Sequence, residues 1–219
     1  QALGFTRSLN GVGQPLPAVL IEETGPSGGT TNLTEGELGV ATVGKTPGLY
    51  TWKFSLDGYF PAWRTTLLQS NSTQIIPYPR LVPRSTQSFT LNPLTGGAAT
   101  NGRVQILFGA GSVPQIGTAQ ITLLDGQNLP ALLPQGWSPL QAFWLQSTPE
   151  PIQPLSASLA PWGPIKSSEN AALVKFDSST LTWRVLQLVS GNDINAVNRQ
   201  IKSAKDRQVS HLAIWAHES

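Results

Sequence analysis

From residue 48 to 54 the chain alternates without a break. Leu49, Thr51 and Lys53 fall on one side of an extended segment, and Tyr50, Trp52 and Phe54 fall on the other. That period of two predicts a strand with one face against a core. The pattern stops at the turn pair Asp57-Gly58 and resumes over 59–68. Upstream, the Gly- and Pro-bearing run 11–17 leads into an apolar strand over 18–23. Residues 25–29 read as a loop, and 30–34 and 39–43 as further short strands.

Residues 75–83 carry Pro too often for a central strand. With the Gly- and Ala-rich run 94–99 they predict a connector, and residues 85–100 are assigned as a linker. Beyond it, 102–113, 118–124 and 141–145 read as strands, and 127–133 as a loop. Residues 149–164 hold five Pro, predicting an extended surface run. Residues 170–186 predict a hairpin turning at 177–180. In 193–205, Ile194, Val197 and Ile201 have helical spacing behind the N-cap candidate Asp193, which predicts a short helix or an irregular excursion.

Composition agrees with an all-β protein. Charged residues make up 12%, Gly and Pro together 39 of 219 (21 and 18), and the hydrophobic fraction of 39% can fill a core. The fold class expected is all-β, with two β-sandwich domains in tandem at 1–84 and 101–219. A net charge of +2 without a basic stripe gives no footprint for nucleic acid. No apolar run approaches a membrane-spanning length. Cys and Met are both absent. Disulfides and thiolate metal sites are therefore excluded, and an extracellular or cell-surface location is expected. Gln1 is not a start Met, so a processed product or a fragment is expected. Sequons occur at Asn32-Leu33-Thr34 and Asn71-Ser72-Thr73.

Two resemblances sharpen this reading. Gly13-Gln14-Pro15-Leu16-Pro17-Ala18-Val19, with Pro47-Gly48-Leu49-Tyr50 and Asp57-Gly58-Tyr59, resembles the carboxypeptidase-regulatory or transthyretin-like sandwich. That family implies a spacer, folding aid or adhesive module. In the second region, Phe176-Asp177 followed by Thr182-Trp183-Arg184-Val185 resembles the ZU5-like sandwiches of large bacterial surface proteins. Their autoproteolytic members end in a His-Phe-Ser strand. Here His211-Leu212-Ala213 holds that place, and Ala213 lacks the hydroxyl that starts an acyl shift. The resemblance implies a degenerate cleavage strand.

Other chemistry candidates are sparse. His211 and His217 would share a strand face roughly 20 Å apart, too far to chelate one ion, and no metal or cofactor is expected. Glu22 and Glu23 are adjacent and point to opposite faces of a strand, while Glu35 and Glu37 flank a turn glycine, so neither pair suits glycosidase chemistry. Trp52, Trp144 and Trp183 read as core. Trp63, Trp137 and Trp162 lie beside Pro and are candidates for sugar or partner contact. Arg199, Lys202, Lys205 and Arg207 read as a solvated face.

The function expected is a non-enzymatic extracellular structural or interaction module of a surface or secreted bacterial protein. Its partners would be neighbouring domains or copies of itself, and self-assembly is in view. Rival readings are a carbohydrate-binding module with a glycan partner, an inactive autoproteolytic domain, and a plug domain of a teneurin- or Rhs-type toxin shell.

Overall fold

The structure, a computed structural model, describes residues 1–153, 155–159, 170–190, 199–201 and 211–218. The described residues form seventeen strands, β1 to β17, and no helix. The chain divides into two compact units. The first is 1–84 with 127–132, and the second is 85–126 with 133–219.

The first unit carries β1 (Ala2–Thr6), β2 (Leu20–Thr24), β3 (Thr30–Thr34), β4 (Val40–Lys45), β5 (Gly48–Ser55), β6 (Ala62–Leu68) and β7 (Thr73–Ile75). They make two sheets, ordered β4-β1-β7 and β3-β2-β5-β6. Tyr50, Trp52 and Phe54 are buried and Leu49 is exposed, following the alternation of the sequence. These rings pack with Ile21, Ala62, Leu68, Ile76, Leu81 and Ala2 of β1, so both sheets supply one core. The proline-rich run 75–83 is thus no mere connector, because Ile76 and Leu81 complete that core. Its prolines sit where bridges are isolated (Leu9 to Arg80, Tyr59 to Pro83) and no continuous ladder needs their missing N–H.

The second unit carries β8 (Phe89–Leu91), β9 (Gly97–Asn101), β10 (Val104–Phe108), β11 (Gly117–Leu124), β12 (Trp137–Thr148), β13 (Leu155–Leu159), β14 (Asn170–Asp177), β15 (Thr182–Ser190), β16 (Arg199–Ile201) and β17 (His211–Glu218). One sheet is ordered β16-β13-β10-β9 and the other β15-β14-β17-β12-β11-β8. Their core joins Leu91, Ala99, Ile106, Ile121, Phe143, Leu145, Leu155 and Leu173. The 170–186 hairpin is present as β14 and β15, in antiparallel register from Asn170 and Ser190 to Asp177 and Thr182.

Several expectations are corrected here. The stretch 85–100, read as a linker, supplies β8 and most of β9. In the proline-rich run 149–164, β13 pairs with β10 and buries Leu155 and Ala157, so that part is a core strand rather than a surface run. Arg199–Ile201 is strand, not helix. It pairs with β13, setting Leu155 opposite Ile201, because an available sheet edge satisfies the backbone and outweighs a weak local spacing. The rest of 193–205, with Lys202, Lys205 and Arg207, lies outside the described residues. β12 runs straight through Pro139, where a register shift between Pro139 and Gln141 absorbs the lost donor.

The turn between β8 and β9, which carries the chain from one sheet to the other, is built on Gly96, whose φ is +78°. Asn92 holds the turn through Leu94 N–H to its Oδ1 at 2.8 Å and through the paired Asn92 and Gly96 backbones. A Cβ on Gly96 would lie 2.0 Å from the Phe108 carbonyl oxygen. Gly96→Ala is therefore expected to cost about 2–3 kcal/mol, read as a lowered urea midpoint of the full chain.

Candidate interaction surface

The sheet β3-β2-β5-β6 sorts its side chains by cross-strand register. Glu23 stands opposite Trp52, and Glu22 opposite Lys53. The first pair faces the core and the second faces out. Glu23 accepts from Trp52 Nε1–H at 2.9 Å and pairs with Lys45 at the end of β4. Glu22 pairs with Lys53 on the open face. The two adjacent carboxylates are thus separated by the sheet, and each is neutralised by its own lysine. Tyr50 stacks on Trp52 at 5.8 Å between centroids and donates its hydroxyl to Thr46 O.

The outer face has a row of four threonines across the strands. Register aligns Thr30, Thr24, Thr51 and Thr65. Their hydroxyl oxygens meet in two pairs, Thr24 with Thr30 at 3.3 Å and Thr51 with Thr65 at 3.2 Å. Leu49 and Leu67, opposite one another, and Leu20 are exposed on the same face. The next row is Asn32, Glu22, Lys53 and Trp63.

The two edges of this sheet differ. At β6 the segment 127–132 closes the edge, with Trp63 N–H donating to Pro130 O at 2.5 Å. Arg64, 3% exposed and in register with Trp52, donates Nη1 to Trp63 O and Pro130 O. Burial pulls its guanidinium down to about 10, leaving it cationic at neutral pH. At β3 the bonds Glu35 N to Val19 O and Gly25 N to Gly29 O bracket the hairpin. Their alternation turns the backbone groups of Thr31 and Leu33 toward β2 and those of Thr30, Asn32 and Thr34 outward. Among the described residues these outward groups meet no further backbone partner.

Glu35 closes the same hairpin. It is 3% exposed, and its Oε1 accepts from Ser8 N–H at 2.6 Å. Glu37 is exposed and offers only its carbonyl, to Arg7 Nη2 at 2.8 Å.

The remaining sequence candidates scatter. Trp63 is 9% exposed, so it presents little ring face to a sugar. Trp137, half-buried at the start of β12, donates its backbone N–H to Pro134 O. Trp162 lies outside the described residues. His211, Leu212 and Ala213 lie in β17, a central strand between β12 and β14, with Ala213 in register with Phe143 and Lys175. Trp144 is buried, and Trp183 is half-buried against Phe176 at 5.0 Å. Both sequon asparagines are exposed, Asn32 on β3 and Asn71 at a positive-φ turn. Among the described residues no three His, Asp or Glu gather as a metal site. The open β3 edge and the threonine row escaped the sequence reading. Their only local signal is that Thr-Thr-Asn-Leu-Thr lacks charge and Pro.

No protein-family model matches this chain, and no curated protein matches it.

Two consequences can be measured. Lys45 is 24% exposed and Glu23 2%, so Lys45→Met strands a buried carboxylate and is expected to cost about 3 kcal/mol. The double variant Glu23→Gln with Lys45→Met keeps the Trp52 acceptor without the charge, and urea unfolding should show most of that loss restored. Burial pushes the Glu35 carboxyl above its usual 4.5, offset in part by Ser8 hydrogen bonds and the Arg7 charge. The folded chain then holds this proton more tightly than the unfolded chain does. The stability this residue contributes is present below pH 4.5 and falls as pH rises through the folded-state value. Glu35→Gln is expected to be more stable than the native chain at neutral pH, with the difference closing below pH 4.5.

Proposed function

We propose that this chain is a non-enzymatic structural and interaction module of a surface or secreted bacterial protein, transthyretin-like in its first unit and ZU5-like in its second. The observation that carries the reading is the sheet β3-β2-β5-β6. Its carboxylates are held by lysines and by Trp52, and what it turns outward is a threonine row, exposed leucines and an unpaired edge. Such a surface binds through backbone pairing and shape rather than through a reacting group. Ala213 supports the same view, because the strand resembling a cleavage strand has no nucleophile of its own. The lack of Cys and Met supports an oxidising location. Among the described residues no helix is long and apolar enough to cross a membrane.

The decisive experiment treats intact producing cells briefly with trypsin and identifies the released peptides by mass spectrometry. Peptides of this chain are expected in the released fraction or the culture medium. Recovery only after lysis would refute the surface assignment. The same purified chain applied to a glycan array is expected to give no signal. A signal lost in Trp137→Ala would move the reading to a carbohydrate-binding module.

A further inference from the structure

We infer that the free edge of β3 is a self-pairing site, at which a second copy of this chain docks its own β3 antiparallel across a two-fold axis at Asn32. The inference rests on the interaction-module reading and names the partner. Natural sheets protect exposed edges with Lys, Pro, bulges or a covering loop. The opposite edge of this sheet has such a cover, the Pro130 carbonyl on Trp63 N–H. Among the described residues β3 has none of these devices. Thr30–Thr34 is uncharged, Pro-free and in regular register with β2 from end to end, and four of its five residues are exposed.

The segment is also close to self-complementary. Antiparallel pairing about Asn32 sets Thr30 opposite Thr34 and Thr31 opposite Leu33, with Asn32 facing its own copy. The outward N–H and C=O groups of Thr30, Asn32 and Thr34 then satisfy one another in about six interstrand bonds. The half-buried Leu33, which packs against the core, gains cover from the incoming strand. Charge does not oppose the match. The row through Asn32 reads Lys53, Glu22, Asn32 in each copy. The two Glu22 carboxylates would stand three strand spacings apart, about 14 Å, beyond the screening length of about 10 Å at 0.1 M salt. Each is already paired with Lys53. Five residues of edge bury less than a standard interface, which places the contact in the weak class that high local concentration on a surface fills.

Sedimentation velocity on the full chain from micromolar to millimolar concentration tests this. The native chain should shift from 23.4 kDa toward twice that mass. Asn32→Pro should stay monomeric with an unchanged thermal midpoint, because the Asn32 N–H points away from β2 and Pro removes no bond within the chain. Asn32→Lys and Asn32→Asp, each alone, place like charges opposite one another on the axis and should lose the dimer. Mixed in equal amounts they should regain it. A native chain that remains monomeric throughout, or a dimer that survives in Asn32→Pro and in Asn32→Lys alone, overturns the proposal. Either result leaves the surface-module reading to the protease-release experiment, which can fail or succeed separately.

Discussion

The Glu23 carboxylate is the constraint around which the first unit is arranged. It sits inside the core on β2, bonded to Trp52 of its own sheet and to Lys45 of the other. A buried charge without partners costs several kcal/mol, so both sheets must meet where Lys45 and Trp52 can reach it. The same carboxylate locks register. A slip of β2 by one residue would send Ile21 and Glu23 to solvent and bring Glu22 inside, away from Lys53. Everything on the outer face inherits its position from that choice, including the threonine row and the backbone groups that β3 turns outward.

The same sheet has one covered and one open edge. Closing β6 takes a segment remote in sequence, 127–132, whose Pro130 carbonyl serves both Trp63 N–H and the buried Arg64. Arg64 keeps its charge inside by donating to carbonyls, and that ties it to the presence of the segment. Among the described residues β3 has no such cover. The hydroxyls of Thr24, Thr30, Thr51 and Thr65 meet in pairs along one row, and Glu22 is paired with Lys53 in the next, so the charges and hydroxyls on the face beside the open edge have partners of their own. An unpaired strand edge is where strand addition takes place.

The second unit shows how tertiary pairing overrides local signals. β17 is hydrogen-bonded to both β12 and β14, which places Ala213 in the middle of a six-stranded sheet. β13 arises inside a proline-rich run because its Leu155 and Ala157 fill the core that β9 and β10 leave open. β16 adds to β13 at residues whose spacing looked helical.

The all-β class, the core alternation of β5, the hairpin of β14 and β15, and the split of Glu22 from Glu23 were all legible in the order of residues. Each depends on a period of two or on a turn residue, and such signals are complete within a few neighbouring positions. Long-range pairing set the rest: residues 85–100 enter the sheets, 127–132 belongs to the first unit, Trp63 is covered, and one edge is closed while β3, among the described residues, is open. These depend on which distant strand supplies the missing hydrogen bonds. A strand's own residues cannot record its partner, because every backbone offers the same donors and acceptors.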